Sequence, residues 1–299
     1  MIFQGNCPAL ITPFTKSNKI NFKSLKNLLD NQILGGAKAI LILGTTGENA
    51  TLSTEEKIEI IKFTLKTVDN KVPVIVGAGS NNTSIAIKTA QLYESLGVNA
   101  LLEISPYYNK TTQSGLVEHF SQIAKSINIP IILYNVPSRT GVNILPETVF
   151  KLSKIYNIVG IKEASGNLNQ VSQIIKLCSK DFAVYSGDDA LTLPMLSLGA
   201  QGVFSVASNL LPKEMSCLCE NFFNGNVLSS QKIHYKLLDL FNILFCEVNP
   251  IPVKTALNIM HKNVGKVRLP LTNIQRKNYI KLKNILKKID WKISIFLSF

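Results

Sequence analysis

The amino-acid sequence predicts an α/β protein built as a (β/α)8 barrel with a C-terminal helical appendage. Eight short apolar runs rich in β-branched residues recur along the chain, at 8–12, 39–43, 72–76, 100–104, 129–134, 158–161, 183–185 and 202–206. They are near-continuous rather than alternating, the pattern of strands buried on both faces of a parallel sheet. Most are separated by roughly 25 to 33 residues, room for one strand and one helix each. Eight such units close a barrel, and 299 residues suit a single barrel with additions.

The helices between the strands have their own signals. After the first two strands, Ser53 and Glu56 have capping-box spacing, and Ile58, Ile61, Leu65 and Val68 follow on one helical face. Past the third and fourth strands, Leu116, Phe120, Ile123 and Ile127 mark another apolar face. After the fifth, Pro146 suits the first turn of a helix that carries Val149 and Leu152. Beyond the eighth strand the strand signals stop, and 210–289 reads as helical, with no Gly/Ser linker before it. We therefore divide the chain into a barrel that carries the active site (1–207) and a helical region with a basic tail (208–299).

Composition excludes several classes of function. Hydrophobic residues make up 46% of the chain and charged residues 17%, enough apolar matter for a large core. There is no run of 18 or more apolar residues, so no membrane partner is expected. The start, from Met1 to Pro8, lacks a basic segment followed by an apolar one, so a cytoplasmic location is expected. Five cysteines, with Cys217 and Cys219 the only close pair, suggest small buried residues in a reducing compartment. His119, His234 and His261 have no metal-ligand spacing. The net charge of +13 is uneven: from Lys262 onward, ten Lys or Arg face one acid, Asp290. Such a strip can attract phosphates, but no nucleic-acid motif accompanies it, and a solvated helix face is the simpler reading.

Barrel enzymes work at the C-terminal ends of their strands, so candidate residues are sought there. Lys162 ends the run 158–161. Desolvation at that place penalises an ammonium and favours the nucleophilic amine that a Schiff base requires. The alternative is a lysine paired with Glu163 or extended to solvent. Tyr134 ends the preceding strand and would lie close to Lys162, as a proton carrier or a rim aromatic. Thr45 and Thr46, between Gly44 and Gly47, form a turn able to offer hydroxyls and amides to a carboxylate. Arg139 sits in a loop over the same mouth, with a planar fork suited to a carboxylate. Asp188 and Asp189 read as a helix N-cap rather than a magnesium site. The run 77–81 is not a dinucleotide fingerprint, because Asn82 stands where a third glycine would be.

Six strings occur in order over about residues 1–272: 44–48, 106–109, 134–141, 160–164, 186–189 and 249–254. Together they closely resemble the pyruvate-dependent class I aldolase superfamily headed by dihydrodipicolinate synthase. The resemblance implies that Lys162 forms the Schiff base with pyruvate. It makes Tyr134, Thr45 and Tyr108 a proton relay, with Tyr108 reaching across a dimer interface. It gives the pyruvate carboxylate to Thr46 and the carboxylate of aspartate semialdehyde to Arg139. Gly187 and the carbonyl of Phe204 would contact substrate near the mouth. It implies a homotetramer built as a dimer of dimers, and chemistry without a metal or organic cofactor, since the protonated imine is the electron sink. Family members inhibited by lysine carry histidines and a glutamate where this chain has Thr54, Lys57 and Ile85. Weak or absent feedback follows, although Asn81 and Tyr107 remain.

Within the superfamily, N-acetylneuraminate lyase and sugar-acid aldolases share the lysine and the tyrosine, but Tyr107, Tyr108 and Arg139 together favour the synthase. A catalytically silent binding protein with a nucleic-acid-associating tail is a reading of a different class. The extension 290–299 receives no role.

Overall fold

The computed structural model describes residues 1–289, and the extension 290–299 lies outside them. Eight parallel strands make one sheet: β1 (Gly5–Pro8), β2 (Ile40–Ile42), β3 (Val74–Ala78), β4 (Ala100–Ile104), β5 (Ile131–Asn135), β6 (Ile158–Glu163), β7 (Ala183–Ser186) and β8 (Gly202–Ser205). Their order is β1-β8-β7-β6-β5-β4-β3-β2. The remaining seam closes just past the end of β1, where Ala9 bridges Leu41 of β2 and the Leu10 amide donates to the Leu41 carbonyl at 2.9 Å. The expected (β/α)8 barrel is present.

The helices alternate with the strands: α1 (Phe22–Leu34), α2 (Thr54–Val68), α3 (Thr83–Ser95), α4 (Gln113–Lys125), the single turn α5 (Pro137–Thr140), α6 (Pro146–Leu152), α7 (Leu168–Leu177) and α8 (Thr192–Leu198). Ser53 caps α2 in a complete capping box with Glu56, and Pro146 occupies the first turn of α6. Alternation along each strand separates two cores. Leu41, Ile75, Leu102, Ile132, Tyr185 and Phe204 fill the cylinder, while Ile40, Ile42, Leu101, Leu133 and Ile161 face the helices.

The first strand lies earlier than expected. It pairs with β8 over Gly5–Pro8, while the backbone of 9–11 is held by the Ser205 and Leu41 carbonyls and by one side chain: Asn209 Nδ2 donates to the Ala9 carbonyl and Asn209 Oδ1 accepts from the Ile11 amide. Apolarity marked this run as buried but not which polar groups would satisfy it. The C-terminal region is likewise less helical than its composition suggests. It consists of α9 (Pro212–Phe223), α10 (Val227–Ile243), α11 (Ile251–Ile259) and α12 (Arg276–Lys288), with a non-helical stretch between α11 and α12. That stretch returns to the barrel, where the Phe14 amide donates to the Val264 carbonyl at 2.9 Å. The cysteines are free; Cys7 and Cys219 are buried as expected, but Cys178 and Cys217 are half-buried and Cys246 is exposed. Among the described residues, no helix is long and apolar enough to cross a membrane.

Candidate active site

The register of β5 on β6 sets Tyr134 directly beside Lys162, both directed into the cylinder. Lys162 is only 6% exposed. Its Nζ lies 4.3 Å from the centre of the Tyr134 ring and 5.3 Å from that of Phe204. Beneath it, Phe3 and Tyr185 stack at 4.3 Å, and the Tyr185 hydroxyl donates to the Phe3 carbonyl at 2.8 Å. Phe3, Tyr185 and Phe204 pack together in the interior of the cylinder. Glu163, one residue on, faces the other way. Its carboxylate accepts hydrogen bonds from Asn135, Gln170 and the Ser165 amide. The two-residue period of the strand thus rules out the Lys162–Glu163 pairing held open above.

A cavity of about 410 Å³ opens over the lysine and includes Thr45, Thr46, Tyr134, Arg139, Lys162 and Gly187 in its wall. Gly187 has a steric reason to be glycine. A Cβ there would stand 2.7 Å from the Ala164 Cβ and 3.1 Å from the Lys162 Cε. Thr45–Gly47 form a 3-10 turn at the end of β2, and the Thr45 and Thr46 amides find no acceptor among the described residues. They are donors available to an anion. Arg139 stands on α5, exposed and without an ion pair among the described residues. Phe204 is 1% exposed and is not part of the cavity wall; its ring touches the lysine from below.

Tyr108 is not brought to this cavity. It is 90% exposed, on a backbone with φ of +70°, an uncommon conformation for a bulky side chain. Asn81 and Asn109 hold its turn: Asn81 Nδ2 donates to the Tyr107 carbonyl, and Asn109 Nδ2 donates to the Asn81 carbonyl. A second cavity, of about 350 Å³, shares Thr45, Tyr134 and Arg139 with the first and also contains Lys57 and Tyr107. Burial there pushes the Lys57 ammonium below its usual range. Ile85 is 54% exposed and Thr54 lies at the exposed start of α2.

The two aspartates do not cap a helix. Asp188 Oδ1 accepts from the Ala190 amide, and Asp189 holds the turn after β8 through Ser205 Oγ and the Val206 and Ala207 amides. The residue at the cap position of α8 is Leu191. The buried Asp189 carboxyl is pushed up to about 6, mainly by desolvation and against the pull of those donors.

Sequence reasoning left the C-terminal region out of the site. Phe245, Glu247, Val248 and Asn249, between α10 and α11, also belong to the wall of the first cavity. Asn249 Nδ2 donates to Thr46 Oγ1 at 2.9 Å. Lys254, 1% exposed, donates to Glu48 Oε1 at 2.7 Å and to the Thr12 and Lys266 carbonyls. The Arg268 amide donates to the other Glu48 oxygen, and its guanidinium grips Glu56 with both terminal nitrogens. The string 249–254 was visible as a motif, and a lysine inside an apolar segment was the available signal for this clamp.

Comparison with known proteins extends over nearly the whole chain. Residues 2–289 match the model of the Dihydrodipicolinate synthetase family. A 4-hydroxy-tetrahydrodipicolinate synthase of Clostridium novyi is 50% identical over 289 residues, 97% of each chain. The crystal structure of dihydrodipicolinate synthase from Thermotoga maritima superposes with a TM-score of 0.95 at 42% identity, covering 97% of this chain and all of that one. A structure described as the first monomeric dihydrodipicolinate synthase variant superposes with a TM-score of 0.95, also at 42% identity, over 96% of this chain and 97% of its own. With likeness of sequence and backbone running from one end of the described chain to the other, this protein belongs to the dihydrodipicolinate synthetase family.

Proposed function

We propose that the protein condenses pyruvate with L-aspartate 4-semialdehyde to 4-hydroxy-tetrahydrodipicolinate, the first committed step toward diaminopimelate and lysine. One observation carries the reading: a buried lysine, free of ion pairs among the described residues, stands between two aromatic rings at the floor of an open barrel mouth. Uncharged Lys162 attacks the pyruvate ketone, and the carbinolamine loses water to give the imine. Loss of a methyl proton gives an enamine, whose carbon attacks the aldehyde of the second substrate. The amine of that substrate then attacks the imine carbon, closing the ring and releasing Lys162.

The chain's other residues supply protons and charge. Tyr134 and Thr45 exchange protons with the carbinolamine and the new alkoxide. Thr46 and the amides of its turn receive the pyruvate carboxylate, and Arg139 the carboxylate of the semialdehyde. Gly187 leaves the lysine room to swing, and the carbonyl of Phe204 lies beneath the bound keto acid. Tyr108, exposed on its strained turn, completes the proton relay in a neighbouring subunit. The reading therefore includes a homotetramer, assembled as a dimer of dimers in the cytoplasm, with no nucleic-acid partner. It also keeps the division into a barrel (1–207) and a helical region (208–299).

Reductive trapping tests the reading. Incubation with pyruvate and borohydride should attach one three-carbon adduct to Lys162, located by peptide mass spectrometry, and Lys162→Ala should abolish both label and turnover. Label on another lysine, or faster cleavage of N-acetylneuraminate than condensation with the semialdehyde, would refute it.

A further inference from the structure

Thr46 is held by a residue far away in sequence. Asn249 is 5% exposed and its Nδ2 donates to Thr46 Oγ1 at 2.9 Å, while Thr46 itself is 3% exposed. Both residues belong to the wall that contains Lys162. A hydroxyl has one proton and two lone pairs. With a lone pair occupied by the Asn249 N–H, the Thr46 proton is turned away from Asn249, and among the described residues it meets no acceptor. The cavity is what remains on that side. The same two segments are tied a second time where Lys254, on the following helix α11, donates to Glu48, two residues beyond Thr46, at 2.7 Å. Asn249 Oδ1 is buried and has no hydrogen-bond partner among the described residues.

We propose that Asn249 is a positioning residue for the keto acid: its amide fixes the Thr46 hydroxyl so that the proton is delivered to the substrate's carboxylate. The inference rests on the pyruvate reading above. A donor already aimed at an anion needs no reorientation when the anion arrives, which favours binding of the first substrate. The second substrate engages Arg139, which makes no hydrogen bond to this pair, so its affinity should not change. Aspartate at this position would accept the Thr46 proton instead of directing it outward, and would set a negative charge beside the substrate's own.

The experiment measures the pyruvate concentration that gives half-maximal borohydride labelling of Lys162, together with both Michaelis constants. Asn249→Ala should raise the half-labelling concentration about tenfold, the usual scale of one lost hydrogen bond to a charged group, and leave the KM for the semialdehyde within about twofold. Asn249→Asp should raise it further. In a double-mutant cycle, Thr46→Val with Asn249→Ala should bind pyruvate no worse than Thr46→Val alone, because Asn249 acts through that hydroxyl. Multiplied losses in the double variant, or equal increases in the KM of both substrates, would overturn the proposal. If Asn249→Ala fails to fold by circular dichroism, the nearly isosteric Asn249→Asp decides. Label that saturates alike in the variants and the unaltered protein removes this inference alone. Absence of label in the unaltered protein removes the pyruvate reading as well.

Discussion

The centre of the site depends on which face of a strand each residue occupies. Lys162 and Tyr134 are neighbours because two parallel strands keep register, and Glu163 is excluded because the next residue on a strand points the opposite way. This part was legible only in outline: the apolar run put Lys162 at the mouth end of its strand, but a run buried on both faces leaves the phase of the pleat open, and the register supplies it. Gly187 was legible only as a motif, since its reason is a clearance of about 3 Å between the end of β6 and the turn after β7. It supports a sharp prediction. A methyl at Gly187 would meet the Ala164 Cβ at 2.7 Å, a carbon held on backbone, before it met the flexible Lys162 Cε at 3.1 Å. The β7 end or the lysine must then shift. Displacement of a nucleophile by about 1 Å costs about a hundredfold in rate. Gly187→Ala should therefore lower kcat for condensation by about ten- to a hundredfold, and also lower stability by about 1–3 kcal/mol, because the nearest atom is held on backbone. Near-normal kcat would mean that the lysine has slack that the packing does not show.

At the scale of elements, the carboxylate-binding turn is held by segments the chain supplies two hundred residues later. Glu48 has φ of +57° at the end of the 3-10 turn, and its carboxylate is buried with the Lys254 ammonium. Burial pushes that ammonium down to about 8, against the pull of Glu48 in the other direction. Arg268 completes the clamp, packing over the Phe14 ring at 4.2 Å. Helices and strands announce themselves by period, but a clamp between 48, 254 and 268 has no period, which is why the appendage read as separate from the site. Removing one partner of such a pair strands the other charge in the interior, a loss of about 3–5 kcal/mol, whereas removing both costs far less. Lys254→Met should thus destabilise the protein by about that amount in urea unfolding and weaken pyruvate binding. The double variant Glu48→Gln with Lys254→Met should recover much of the stability. Equal instability of the double and single variants would show that packing, not charge, holds the turn.

Across the whole molecule, the helix-side core holds one carboxyl that its neighbours leave without hydrogen bonds. On β4, Leu102 faces the cylinder and Leu101 the helices, and Glu103 falls on the helix side, fully buried and with neither oxygen hydrogen-bonded among the described residues. The Gly79 turn covers it so closely that a Cβ at Gly79 would lie 3.0 Å from Glu103 Oε2. Desolvation pushes this carboxyl up to about 8. In the same helix layer, His119 donates to or accepts from Thr83 Oγ1 through Nδ1 at 2.9 Å, and burial lowers it to about 4. The two groups tilt stability in opposite directions. Between about 4.5 and 8 the folded state keeps the Glu103 proton that the unfolded chain releases, so stability falls as pH rises. Between about 6.5 and 4 the unfolded chain takes up a His119 proton that the folded state refuses, so stability falls as pH drops. The slopes oppose one another below about 6.5, and above it Glu103 acts without that counterweight. Glu103→Gln should accordingly unfold at higher urea than the unaltered protein near pH 8, with the gap narrowing by up to about 1.4 kcal/mol per unit as pH is lowered toward 5. His119→Gln should flatten the acid side and leave the gap near pH 8 unchanged. A stability difference for Glu103→Gln that stays constant from pH 5 to 8 would mean that Glu103 carries the same charge in the folded and unfolded chain, and the two-sided profile would then have another origin.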